Sequence, residues 1–397
     1  MHVPRFEPFP ALRYASADLN RVIAPPYDVL SGADLDALEA QDDHNIVHVD
    51  VPRERDGEGR YEAAGDRLRS WLAEGLVARD EEASFTLYRM SFTDAAGTER
   101  QIVGVMGALE VVDEGAGDVL PHERVTKKAS TDRLDLTRAT LANMSPIWGL
   151  SLASGLTSLL IEPGEAVGSV TFDGVTHSVE RVTDPARLAA IGAMVWTDAV
   201  LIADGHHRYG VARRYRDEIR EATGSTETTS ELTLAFVSEL VSDQLSVEAI
   251  HRVYRDIDRG ELVAALSVGF EIAAAGEVSS EMLAEMEIRG ALCLVDRSGQ
   301  GSWLTPKPGV FDDIRALDGV WLEHLLHGMA ANVTYQHGVD ELRTLIDGDA
   351  SITAAVLIRP VSVAEIERTA REGLLMPPKS TFFTPKLRTG LVVRPLD

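Results

Sequence analysis

Apolar positions along this chain alternate between a period near 3.6 and a period of two, and the switches mark its elements. Over 61–76 the residues Ala64, Leu68, Trp71 and Leu72 recur at helical spacing. Residues 85–92 and 101–112 are strand-like runs separated by Asp94-Ala95-Ala96-Gly97, a pattern that predicts a hairpin. The opening stretch is punctuated by Pro4, Pro8, Pro10, Pro25 and Pro26, so it is expected to be extended or turning. A short helix is predicted to start at Ser31 or Asp34 and run through Leu35 and Leu38. Another is predicted over 131–144, with Leu134, Leu141 and Met144 on one face and Pro146 stopping it. Short strands and turns follow over 150–183, then a helix over 184–194.

The sharpest switch comes at 199–203, Ala-Val-Leu-Ile-Ala, a short apolar strand that Asp204-Gly205 turns into a helix. Val211, Tyr215 and Ile219 mark one face of that helix at i, i+4, i+8. Residues 221–231 read as a polar loop, strands resume at 232–241, and alternating elements continue to a helix at 363–371. No internal repeat or low-complexity tract is present. The expected fold class is α+β (mixed α/β), in three segments: 1–117, 118–245 and 246–397.

With 397 residues, 45% of them hydrophobic, the chain can bury a sizeable core. The formal net charge of −25 argues against a nucleic-acid partner, because phosphate backbones are gripped by clustered Lys and Arg. The single cysteine, Cys293, can form neither an intramolecular disulfide nor a zinc cluster, and its apolar neighbours make it a buried strand residue. No stretch approaches the ~18 uninterrupted apolar residues of a membrane span, and the first residues lack a secretory pattern. A soluble, cytoplasmic protein without a membrane partner is expected; its oligomeric state is not legible.

Several chemical motifs are absent: the GxxxxGK[ST] phosphate loop, GxGxxG, HExxH and the GxSxG elbow. His324 and His327 stand one helical turn apart without an evident carboxylate and read as a surface pair. Asp204-Gly205-His206-His207-Arg208-Tyr209 is more informative. A helix starting here presents unpaired N–H groups and a positive dipole end, next to which Arg208 is unfavourable unless an anion sits there. The residues leave two readings open, a bound anion, or Asp204 as a plain N-cap beside solvated histidines. Pro121-His122-Glu123-Arg124 precedes Lys127 and Lys128, and on composition Glu123 is a surface or first-turn carboxylate. Residues 374–396 contain no acid, and this basic tail implies a nearby anion, either a ligand or the protein's own carboxylates.

Taken together, Pro25-Pro26-Tyr27-Asp28-Val29, the 121–124 and 203–209 stretches, His251-Arg252-Val253 and Met376-Pro377-Pro378-Lys379-Ser380-Thr381 closely resemble the prokaryotic domain-of-unknown-function family 1015. More distantly, the PHE, DGHHR and PK[ST]T motifs, in that order, resemble the free L-serine kinases of the ParB/sulfiredoxin superfamily. That resemblance implies a ParB/sulfiredoxin-like core preceded by an additional N-terminal α+β region. It implies a phosphotransferase that uses ATP or ADP, with Mg²⁺, to phosphorylate a small hydroxylated metabolite such as free serine. Glu123 would be the general base, Asp204 would orient Mg²⁺, and His207 would act beside them. Gly205, His206 and Arg208 would hold the transferring phosphate, and Lys379, Ser380 and Thr381 the nucleotide phosphates or the substrate carboxylate. The alternative is a non-catalytic nucleotide- or phosphate-binding regulatory protein. Sulfiredoxin chemistry is disfavoured because His206 takes the cysteine position, and DNA clamping because of the charge.

Overall fold

A computed structural model describes residues 4–15, 17–94, 97–113, 115, 118–123 and 130–397. Ala95 and Ala96 of the hairpin turn, Ala116 and Gly117, Arg124, Lys127 and Lys128 lie outside the described residues. The architecture is mixed α+β, and the chain divides into two compact units. The first comprises Met1–Pro121, Val125–Ser246 and Pro385–Asp397; the second comprises His122–Arg124 and Val247–Thr384. No helix among the described residues is long and apolar enough to cross a membrane.

Among its described residues the first unit is built on a nine-stranded sheet. Its strands are β1 (Phe6–Glu7), β2 (Phe85–Thr93), β3 (Glu99–Glu110), β4 (Val119–Leu120), β5 (Ile147–Ser151), β6 (Glu165–Phe172), β7 (Val175–Val182), β8 (Val200–Asp204) and β9 (Leu232–Glu239). The spatial order is β4-β8-β5-β9-β3-β2-β7-β6, with β1 paired to β3. Pairs β4/β8 and β5/β9 are parallel and the rest antiparallel. The predicted hairpin is β2/β3, with Thr93 opposite Glu99.

Helices α1 (Arg60–Ala73), α2 (Ser130–Thr140), α3 (Pro185–Val195) and α4 (His206–Thr223) belong to this unit. One core gathers Phe85, Val105, Ile147, Val200 and Val237 from the sheet with Ile191 and Val195 of α3 and Tyr209 of α4. The opposite flank of α4 buries Val211 and Tyr215 against Leu134 and Leu396, as the 3.6 period requires. The helix predicted over 131–144 stops earlier. Leu141 adopts φ 49° and is exposed, ending α2 in a left-handed turn, and Ala142–Asn143 form a short strand. Apolar periodicity cannot see such a turn because Leu141 still has the right spacing for a helix face.

The second unit holds a six-stranded sheet of β10 (Ile250–Arg255), β11 (Phe270–Glu277), β12 (Leu292–Val295), β13 (Gln300–Pro306), β14 (Asn332–His337) and β15 (Ile352–Leu357). Their order is β11-β13-β12-β15-β10-β14, antiparallel throughout. Helices α5 (Arg259–Gly269) and α7 (Asp318–Leu325) cover one face, and α6 (Met282–Arg289) and α8 (Val339–Gly348) the other. Strand β12 shows the consequence of the two-residue period. Leu292 and Leu294 enter one core, Cys293 and Val295 the other, and all four are buried. Burial pushes the Cys293 thiol up to about 12. Helix α9 (Val363–Arg371) matches its predicted range.

Candidate functional site

Strand β8 delivers Asp204 to the start of α4. Gly205 takes φ 90°, and a Cβ there would come within 3.1 Å of both Arg208 Cζ and Ile147 Cγ2. Glycine is therefore needed both for the left-handed backbone and for the space. Gly205, rather than Asp204, is the N-cap residue of α4, and no side chain caps the helix. The reading of Asp204 as a plain N-cap is thus corrected: as the last residue of β8, it directs its carboxylate to other groups. Tyr209 fixes the first turn of α4, its hydroxyl donating to Glu110 O (3.0 Å) and accepting from Val112 N–H (2.8 Å).

The Asp204 carboxylate lies between two cations. Oδ2 accepts from Arg208 Nη2 at 2.6 Å, and Oδ1 from Lys386 Nζ at 2.9 Å. Arg208 Nη1 also donates to Pro146 O, and Asp28 lies 3.9 Å from Nη2. Burial alone would push the Asp204 carboxyl up, but Lys386 and then Arg208 outweigh it and hold it below the usual carboxylate range. Burial also opposes the Arg208 charge, and the neighbouring Asp204 and Asp28 carboxylates raise its pKa despite that. Asp204 therefore supplies part of the negative charge that the helix start and Arg208 call for. Beside Arg208, a cavity of about 40 Å³ is lined in part by Tyr27, Asp50, Arg133 and Ser145, which is room for a few waters. Arg133 lies over the Tyr27 ring (3.9 Å) and donates to Asp50 (2.8 Å).

A second cluster lies within the second unit. His122 O accepts from Met376 N–H (2.8 Å), and Glu123 pairs with Met376 in a parallel β-bridge. Glu123 Oε2 accepts from Ser380 N–H at 3.2 Å, and His122 Nε2 meets Thr381 Oγ1 at 2.8 Å. Ser380 Oγ donates to Pro377 O (2.7 Å), so both hydroxyls of this segment are buried and engaged within the unit. Lys379 stands exposed at φ 57°, a conformation that costs a non-glycine residue and holds only where its surroundings enforce it. Its carbonyl accepts from Arg252 Nη1 at 2.8 Å.

The structure thus brings Asp204, Gly205, His206, His207 and Arg208 together in one unit, and Glu123, Lys379, Ser380 and Thr381 together in the other. His206 and His207 lie half-buried in the first turn of α4. Both Asp204 oxygens already accept from cations, and the described residues hold no cluster of three or more His, Cys, Asp or Glu suited to a metal ion. As arranged, Asp204 does not fit a resident Mg²⁺. In the sequence Lys386 stands only as part of a basic tail. The dearth of acids in that tail was the available signal for its role, and one of the anions it meets is the protein's own Asp204. The exposed positions of His324 and His327 suit a surface pair.

Fold and site define a two-unit α+β protein with a positively charged strand-to-helix turn in one unit and a carboxylate clasped by a C-terminal segment in the other. The chain belongs to the family described as "Protein of unknown function (DUF1015)", whose profile matches residues 6–320. No curated protein matches it. Similar solved structures include a free serine kinase in complex with AMP (15% identity, TM-score 0.38, covering 67% of this chain and 84% of that one). Others are a conserved hypothetical protein from Pyrococcus furiosus (12%, 0.39, 70% and 92%) and C-terminally truncated SbnI from Staphylococcus aureus (13%, 0.37, 73% and 87%). At such values these likenesses carry no functional argument.

Proposed function

We propose that this protein is a phosphotransferase of the small-molecule kinase type, transferring phosphate from ATP or ADP to a hydroxylated metabolite, with free serine the first acceptor to test. The observation that carries the reading is the Asp204–Arg208 turn, an uncapped helix start flanked by Arg208 and Lys386. Preorganised N–H groups and guanidinium donors suit a transferring phosphate, because phosphoryl transfer is largely positioning and charge stabilisation. In this reading Gly205, His206, His207 and Arg208 hold the phosphate, and Asp204 keeps Arg208 and Lys386 in place. Lys379 faces the anionic end of a substrate, while Ser380 and Thr381 hold the shape of its segment. Glu123 accepts the proton of the acceptor hydroxyl. The acceptor oxygen then forms its bond to phosphorus as the bond to the nucleotide breaks, releasing ADP from ATP or AMP from ADP. Mg²⁺ enters as part of the nucleotide co-substrate, and no step is assigned to it. The ParB/sulfiredoxin-like core belongs to the same proposal.

The test is turnover by the purified protein with Mg²⁺, ATP or ADP and a panel of hydroxylated metabolites, read as phosphorylated product. Glu123→Gln should still bind nucleotide and lose at least about 100-fold in turnover, the lower range for a general base. Turnover within a few-fold of the parent would remove Glu123 from that role. Tight nucleotide binding with no acceptor ever phosphorylated would establish the regulatory alternative instead.

A further inference from the structure

Arg252 belongs to the His251-Arg252-Val253 stretch, which has no role in the reading above. It lies on β10 with 5% of its surface exposed, and its guanidinium sits 5.0 Å from the centre of the Tyr335 ring. Nη1 donates to Ile250 O (2.6 Å) and Lys379 O (2.8 Å). Among the described residues no carboxylate pairs with it, and Nε and Nη2 have no partner although neither is sealed from solvent. Arg394 offers a contrast. It is equally buried without a carboxylate, but it spends both Nη groups on Asn143, Leu232 and Thr229. Arg394 commits both Nη groups as a structural tie and leaves only a sealed Nε unpaired, whereas Arg252 keeps Nε and Nη2 open to solvent.

The space beside that fork is kept by a missing side chain. A Cβ on Gly319, in the first turn of α7, would lie 2.9 Å from Arg252 Nη2. Gly319 has no positive φ to require glycine, and the first group a side chain there would meet is Arg252 Nη2. Burial works against the Arg252 charge and pulls its pKa down. The Glu323 and Glu123 carboxylates act on it without pairing and offset burial only in part; a buried cation without a paired carboxylate is costly, and an arriving anion relieves that cost.

We propose that Arg252 anchors an oxyanion, a carboxylate or a phosphate, through Nε and Nη2 beside Gly319, with the exposed ammonium of Lys379 as its second cation. A planar guanidinium with two free donor directions matches either group in bidentate fashion. The assignment stands whether or not phosphate is transferred, so its failure and that of the kinase reading are separable.

Protein labelled with ¹⁵N-glycine and ¹⁵N-lysine is titrated with inorganic phosphate and, separately, with acetate, following the Gly319 and Lys379 amides. One of the two anions should shift both amides saturably, and which one does so distinguishes a phosphate site from a carboxylate site. Arg252→Gln should weaken that binding at least tenfold. Should this variant fail to fold, Gly319→Ala decides. It leaves the Nη1 bond to Lys379 in place, suits a helix, and narrows only the Nη2 side, so a tenfold loss with an unchanged melting temperature is expected. No saturable shift with either anion, or equal affinity in a folded variant, overturns the proposal. Loss of kinase turnover with this binding intact would count against the proposed function alone.

Discussion

The first unit at its 204–208 turn and the second on β10 each bury an arginine, Arg208 and Arg252, but they compensate the charge differently. Arg208 and Lys386 share the Asp204 carboxylate, so that cluster is partly compensated and its side chains hold one another in place. Arg252 donates hydrogen bonds only to carbonyl oxygens, and Glu323 and Glu123 act on it without pairing. A cluster with its own paired carboxylate gains less from an added anion than a buried cation that pairs with none. The difference teaches that counting basic residues does not locate an anion site; what matters is which of them already faces a carboxylate.

The largest expected effect compares the two units through buried histidines. Burial, and then Arg388, pull His177 of the first unit down to about 3, and burial, then Arg252 and His337, pull His251 of the second down to about 4. Each is lower in the fold than the ~6.5 of an exposed histidine, so the unfolded chain takes up a proton that the native state refuses. The stability contribution is complete above about pH 6.5 and is lost as the pH falls through the folded values, on the order of 4–5 kcal/mol for His177 and about 3 kcal/mol for His251. Hydrogen exchange of β7 and β10 amides between pH 7 and pH 4 checks this. Protection should fall in both strands, and a flat profile in β7 would break the comparison.

Next in size is Asp204→Asn, which leaves Arg208 and Lys386 facing each other without the shared carboxylate. A loss of about 3 kcal/mol is expected, the lower part of the range for breaking a buried pair, because Asp204 keeps 22% of its side chain in water. Urea unfolding measures it, and a change below about 1 kcal/mol would show that the two cations do not depend on Asp204.

Arg208→Ala should weaken phosphate or nucleotide binding by about 1.5–3 kcal/mol. It should also lower stability, since Arg208 ties α4 to Pro146 O. Calorimetry and thermal unfolding on one sample separate the two losses. The smallest effect is expected for Lys386→Met, about 1 kcal/mol in stability, while Asp204 stays paired with Arg208. A larger loss than for Arg208→Ala would show that the stronger pull of Lys386 on the Asp204 carboxyl outweighs the backbone tie of Arg208 in stability.

Much of the fold was legible in local pattern. The β2/β3 hairpin, the strand-to-helix switch at 204–205, the Val211/Tyr215 face and the 363–371 helix each follow from period and turn residues within a dozen positions. The end of α2 was not, because Leu141 has helical spacing and a left-handed backbone at once. Within the site, the DGHHR turn was visible as a chemical oddity, cationic residues where a helix start disfavours them. The part Lys386 plays was not, since its partner lies 182 residues away.

By itself, then, the sequence determined the local elements, the buried character of Cys293 and which residues carry unusual chemistry, because helix and strand periods and turn preferences act over a few residues. Only the tertiary structure decided that residues 385–397 belong with the first unit while 122–124 belong with the second. It alone decided that Asp204 pairs with two cations and that Arg252 pairs with none of the described carboxylates. Such pairings join positions far apart in the chain. They are selected by the burial of whole sheets and by the cost of leaving charge unpaired, neither of which any local window of residues contains.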